Sequence, residues 1–132
     1  MNYLIDTHVF LWSLLAPEKL SKKAIKVLED SKNMIWISAV SYWEISLKHT
    51  LSKLELEGVL VEELPGKAKD LGFRNLDLDC DTAIGAGKLP KLKHKDPFDR
   101  LIIWQAIRNK YRLISKDKGF GVYEKFGLEL YW

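Results

Sequence analysis

Asp6, Glu44, Asp99 and Asp117 are the residues whose type and placement invite chemistry. Asp6 closes the apolar run "NYLID", Glu44 lies early in "AVSYWEISLKHTL", Asp99 stands near the start of "PFDRLIIWQAI", and Asp117 lies just beyond "YRLIS". Carboxylates about 4 Å apart repel by roughly 4 kcal/mol per pair at an effective dielectric of about 20, so four brought together cannot all stay ionised unaided. A divalent cation is the ordinary remedy. All-oxygen ligands without cysteine or paired histidines suit Mg²⁺ or Mn²⁺ rather than zinc, and such ions keep waters and take up phosphate oxygens.

Whether the acids meet depends on the elements that carry them. "NYLID" and "MIWIS" read as strands, each followed by an apolar stretch of helical length. Ser21 is placed to cap a helix over "KKAIKVLEDS", and Pro65-Gly66 interrupts a weaker helical stretch between Val59 and Leu71. "FRNLDLD" is extended, Asp81 can cap a short helix ending near Lys88, and a basic loop, "KLPKLKHK", leads to a helix from Pro97 to about Asn109. "YRLIS" and "LELYW" are strands around a turn and short helix. Alternating strands and helices predict an α/β fold with a parallel sheet covered on both faces, and ligands bind such sheets beyond the carboxyl ends of the strands, where the strand order reverses. Asp6 and Asp117 belong at that edge, and Glu44 and Asp99 are expected in first helical turns beginning there.

Each acid also has a purely structural reading. Asp6 can cap the helix opening at Thr7, "SYWE" from Ser41 to Glu44 fits a capping box, and Asp117 can be an exposed turn residue. "KDPFD" resolves its two aspartates differently: Asp96 before Pro97 fits an N-cap with proline at the first helical position, while Asp99 gains from the helix dipole there.

The bounds are those of one domain, residues 1–132. The composition, 47% hydrophobic and 30% charged, is that of a soluble chain; no apolar run approaches the roughly 20 residues of a membrane span, and "MNYLIDTHVF" has no signal-peptide pattern. A cytoplasmic chain without membrane attachment is expected. Cys80 is the only cysteine, which excludes an intrachain disulfide and a thiolate zinc cluster. The net charge of +3 is mild, but Lys88, Lys91, Lys93, His94 and Lys95 precede the aspartate pair, and Arg100, Lys116 and Lys118 flank the other acids. Cations around an acidic metal pocket suit a polyanion; a solvated loop is the plainer reading. "DLDCDT" fails as a calcium loop, having Thr82 in place of glycine and Lys88 in place of glutamate. His8, His49 and His94 lack paired ligand spacing, and "GAG" (Gly85 to Gly87) reads as close packing of a short helix.

"LIDTHVFLW", "ISAVSYWEI", "LPKLKHKDPFDRLIIWQA" and "LISKDKGF", in this order over nearly the whole chain, resemble the motifs of the PIN-domain ribonucleases, in particular the VapC-type toxins of toxin–antitoxin pairs. The resemblance implies a three-layer α/β/α sandwich and a Mg²⁺- or Mn²⁺-dependent endoribonuclease that leaves a 5′-phosphate and a 3′-hydroxyl. It implies metal-site roles for Asp6, Glu44, Asp99 and Asp117, and positioning roles for Asp96, Ser115 and Thr7. RNA substrate contacts are expected from Lys93, Lys95, Arg100 and Lys116. It further implies a homodimer and a cognate antitoxin protein. Trp104 stands where the family motif has a small residue. A catalytically silent binding module of this fold is one alternative; another is a haloacid-dehalogenase-like phosphatase, although that chemistry needs an aspartate where this chain has His8.

Asparagine caps about as well as aspartate. Asp96→Asn is therefore expected to leave fold and activity nearly intact, whereas Asp99→Asn keeps the fold and abolishes metal-dependent cleavage. Equal activity in the two purified variants would defeat the assignment.

Overall fold

The computed structural model describes residues 1–92 and 95–132; Lys93 and His94, two of the expected basic-loop residues, lie outside that range. Strand β1 (Asn2–Ile5) leads into helix α1 (Thr7–Leu15), and α2 (Lys22–Glu29) precedes β2 (Met34–Ser38) and α3 (Ala39–Thr50). The chain continues through α4 (Leu64–Asp70), β3 (Arg74–Leu76), α5 (Cys80–Gly85) and α6 (Pro97–Asn109) to β4 (Arg112–Ile114), a 3₁₀ segment over Lys118–Phe126, and β5 (Glu129–Tyr131).

The five strands form one sheet in the order β3-β2-β1-β4-β5, with every pairing parallel. Its central strands are apolar on both sides because both faces are covered. Tyr3 and Ile5 of β1, Ile35 and Ile37 of β2 and Ile114 of β4 point to one layer, where Val9, Phe10, Ala24, Val27, Ile45, Leu64 and Ala68 of α1 to α4 pack. Leu4 and Leu113 point the other way, onto Ile102, Ile103 and Ala106 of α6 and onto Phe120 and Tyr123 of the 3₁₀ segment. This is the expected three-layer α/β/α sandwich. The strand order reverses at β1, with β2 on one side and β4 on the other, and that register puts Asp6 and the residues after Ile114 side by side.

Three local expectations are corrected. Asp79, not Asp81, caps α5: its carboxylate accepts from the Thr82 backbone N–H at 2.7 Å, and Asp81 falls inside the first turn. Pro65 does not interrupt α4 but lies in its first turn, where no intrahelical N–H bond is lost and Gly66 follows without breaking the helix. The capping box at Ser41 does not form, because α3 starts earlier: Ser38 is its cap, accepting from the Val40 N–H at 3.0 Å, and Ser41 is buried inside the helix. Glu44 consequently sits in the second turn of α3 rather than the first.

Trp104 is accommodated by Gly85. A Cβ on Gly85 would stand 3.3 Å from the indole, so glycine is what lets α5 approach α6 there. Deeper in, the Ser38 hydroxyl bonds the Gln105 side-chain oxygen, joining the start of α3 to the middle of α6, and the Gln105 amide reaches the Asp77 carbonyl at 3.4 Å. Gln105 is 1% exposed.

Replacing Gln105 by Met keeps the volume but leaves the buried Ser38 hydroxyl without its acceptor, at an expected cost of about 1–3 kcal/mol. Urea denaturation measures this, and an unchanged midpoint would remove the bridge from the structural account.

Candidate active site

A cavity of about 280 Å³ opens at the carboxyl edge of the sheet, lined by Asp6, His8, Glu44, Lys48, Asp96, Asp99 and Asp117 and walled by Leu11, Ile45, Leu54 and Phe120. All four acids expected at the site reach it. Asp6 is 3% exposed, and three neighbours hold its carboxylate. One carboxylate oxygen caps α1 through the Thr7 N–H at 2.8 Å; the other accepts the Ser115 hydroxyl at 2.7 Å and lies 3.3 Å from His8 Nδ1. Burial holds the Asp6 carboxyl above its ordinary pKa, opposed by His8 and the Ser115 and Thr7 hydrogen bonds, while the Glu44 charge adds to the rise. The cap and the site are thus the same carboxylate.

Ser115 works in two directions, since its oxygen also accepts the Asp117 N–H at 3.1 Å. Asp117 caps the 3₁₀ segment through the Gly119 N–H at 2.9 Å and still lines the cavity, so its turn role is no alternative to a site role. On α6, Asp96 accepts from the Phe98 and Asp99 N–H groups at 2.8 and 3.2 Å, which fixes the turn that presents Asp99. The Thr7 hydroxyl donates to Ser41 at 2.8 Å, tying the start of α1 to α3, the helix of Glu44.

Glu44 is 5% exposed. One of its oxygens is paired with Lys48, one turn further along α3, and the other, Oε1, is buried without a hydrogen-bond partner. The hydrogen bond to Glu44 raises the Lys48 pKa, and the charges of Asp96 and Asp99 add to the rise. Among the described residues, no group of three or more His, Cys, Asp and Glu side chains is already placed to hold a metal ion. The acids line one cavity; they are not drawn together as ligands.

Sequence reasoning missed Lys48 and His8. The signal for Lys48 was its spacing of four residues after Glu44 on one helix. His8 receives the Lys116 backbone N–H on Nε2 at 3.2 Å, which links α1 to the segment after β4, and nothing in its own surroundings in sequence announces that.

The basic residues divide. Lys116 extends over the Trp12 ring of α1, 5.7 Å from its centroid. Lys95 shares a second hollow with Lys91, Leu92 and Arg100. Arg100, expected among the substrate contacts, donates to the Leu89 and Pro90 carbonyls at 2.7 and 3.1 Å and to the Tyr123 hydroxyl at 3.3 Å, which ties the basic loop onto α6.

A parallel sheet reversing at β1, with carboxylates from four segments at that edge, defines a class of acid-lined α/β domains. A family profile described as PIN domain matches residues 3–125, and the chain belongs to that family. Ribonuclease VapC22 of Mycobacterium tuberculosis (strain ATCC 25618 / H37Rv) is 29% identical over 115 residues, covering 87% of this chain and 86% of that protein. The fold is similar to a chain in the crystal structure of VapBC2 from Rickettsia felis bound to a DNA fragment from their promoter, with TM-score 0.68 and 18% identity over 99% of this chain and 98% of that one. It is also similar to a chain in the structure of FitAB bound to the IR36 DNA fragment, with TM-score 0.65 and 19% identity over 99% and 94%. The dehalogenase-like alternative is set aside by the family.

Ser115→Ala removes a donor from buried Asp6 and an acceptor from the Asp117 N–H. A loss of about 1–3 kcal/mol in chemical denaturation is expected, with Ser115→Cys intermediate. No change in either variant would show that Asp6 is held without it.

Proposed function

We propose that the chain is a metal-dependent endoribonuclease that cleaves RNA phosphodiester bonds by attack of water, and that it acts as the toxin of a toxin–antitoxin pair. The observation that carries this is the cavity itself: carboxylates from four segments around a Glu44 whose Oε1 is buried and unpartnered. Such a site is stable only with positive charge inside it, and its donors are all oxygen, which fits Mg²⁺ or Mn²⁺. The ribonuclease name of the VapC22 relative and the two-component complexes among the structural neighbours support the same reading.

Asp6, Glu44 and Asp99 are the residues that would hold the ion, with Asp117 beside them. When bound, a divalent cation acidifies water and offsets the charge building on the phosphate. The protein's own residues do the remaining work. Ser115 and Thr7 fix the Asp6 carboxylate, and Asp96 fixes the turn carrying Asp99. Leu11, Ile45, Leu54 and Phe120 give the cavity apolar walls, which strengthen electrostatic interactions inside it. Asp117 is the carboxylate left to orient water or accept its proton. Lys95 and Lys116, each next in sequence to an aspartate of the cavity, meet phosphates flanking the scissile one, and RNA affinity therefore falls steeply with salt. An antitoxin protein that covers this opening silences it, and a homodimer is the assembly assigned to it. Among the described residues no helix is long and apolar enough to cross a membrane.

Purified protein incubated with total cellular RNA and Mg²⁺ or Mn²⁺ is expected to yield fragments with 5′-phosphate and 3′-hydroxyl ends, and chelator should stop the cutting. RNA carrying a 2′-methoxy group at an accessible cleavage bond should still be cut. A cyclic phosphate product, or protection by that methoxy group, overturns the water mechanism; binding without cleavage points to the silent module.

A further inference from the structure

The carboxylates of the cavity repel one another, and a side-chain cation, the Lys48 ammonium, stands among them. Among the described residues the lining carries carboxylates of Asp6, Glu44, Asp96, Asp99 and Asp117 against one lysine, Lys48, and His8, which lies 3.3 Å from Asp6. The Glu44 side chain is only 6% exposed, so its pairing with Lys48 is unlike a surface ion pair, whose charges are largely solvated. A buried carboxylate without a counter-charge is costly, and Glu44 is already missing a partner on Oε1. The Lys48 side chain is 43% exposed, so it has a route into solvent that Glu44 lacks.

We propose that Lys48 is a tethered counterion: its ammonium occupies the cation place on Glu44 when the divalent ion is absent, and ion binding must expel it. This rests on the metal-site reading given above and adds a competition to it. Two observations support the competition. The Lys48 ammonium is held on Glu44 Oε2 at the wall of the acid-lined cavity, so an ion taken up beside Glu44 meets a like charge on the same carboxylate. The charges of Asp96 and Asp99 act on that same ammonium, which is drawn to the carboxylates that would attract an ion. The geometry is favourable for the closed state, because a glutamate four residues before a lysine on a helix is the better orientation of such a pair.

A structural brace and a tethered counterion predict opposite signs. If Lys48 merely braces α3, removing it loosens the site and weakens metal uptake. If it competes, removing its charge destabilises the metal-free protein yet tightens the metal, since the ion no longer breaks an ion pair or sits beside a displaced cation. Lys48→Met keeps an unbranched apolar stem and deletes the charge.

The experiment is Mn²⁺ titration calorimetry on the full chain without RNA, together with thermal unfolding in chelator and in Mn²⁺, for the wild type, Lys48→Met and Lys48→Arg. Lys48→Met is expected to melt earlier in chelator, to bind Mn²⁺ at least about tenfold more tightly, and to gain more melting temperature from Mn²⁺ than the wild type. Lys48→Arg keeps the charge and should show no such gain. Equal or weaker Mn²⁺ binding by Lys48→Met, with uptake by the wild type intact, overturns the counterion but leaves the nuclease reading standing. Absence of uptake in both removes the metal site and the counterion together. If Lys48→Met is unfolded in chelator, Lys48→Gln, which retains a donor for Glu44, must show the same tightening, and its failure to do so overturns the proposal.

Discussion

Repulsion between carboxylates is the constraint that the site is built around. A parallel sheet that reverses at β1 brings Asp6 and Asp117 to one edge, and α3 and α6 add Glu44, Asp96 and Asp99. The fold opposes this negative charge with every local device available. Asp6 and Asp96 sit at the N-terminal ends of α1 and α6, where free N–H groups and the helix dipole favour an anion. Ser115 and His8 turn polar atoms toward Asp6, and Lys48 neutralises Glu44. What remains is a cavity with carboxylates in excess.

The scaffold around it is rigid where the acids need it to be. Each central strand contributes alternate residues to two separate apolar layers, so a one-residue slip of β1 would exchange Leu4 and Ile5 between layers and carry Asp6 off its edge. Polar ties then fix the helices relative to one another. Thr7 bonds Ser41 across α1 and α3, and Ser38 bonds Gln105 across α3 and α6. Both ties lie close to a site acid in sequence, so the helices that carry Asp6, Glu44 and Asp99 are linked through side chains as well as through the core. Arg100 extends the same logic to the basic loop by holding the Leu89 and Pro90 carbonyls.

Membership of the PIN domain family accounts for the layers and the strand order, and the similarity to VapC22, VapBC2 and FitAB chains runs over most of each. Within those layers Trp104, a large residue on α6, packs against Gly85 on α5, where a Cβ would stand 3.3 Å from the indole. Lys48 places its ammonium on the buried Glu44 carboxylate at the cavity wall.

Much of this was legible in the chain itself. Apolar runs of strand length, helical spacing, and a proline behind Asp96 are patterns within a few residues, and short-range sterics and capping make them decisive; they located the strands, α6 and the cap that Asp96 supplies to it. Boundaries were misread where another polar residue lay within a turn: Ser38 rather than Ser41 caps α3, and Asp79 rather than Asp81 caps α5. Only tertiary structure decided the rest. Ser115 reaches Asp6 across 109 positions and Lys116 reaches His8 across 108, while the partner that occupies Arg100 and the burial that makes Glu44 depend on Lys48 exist only after the layers have closed. Hydrogen bonding and desolvation act through space, and the spacing of residues along a chain does not record which of them will be excluded from water together.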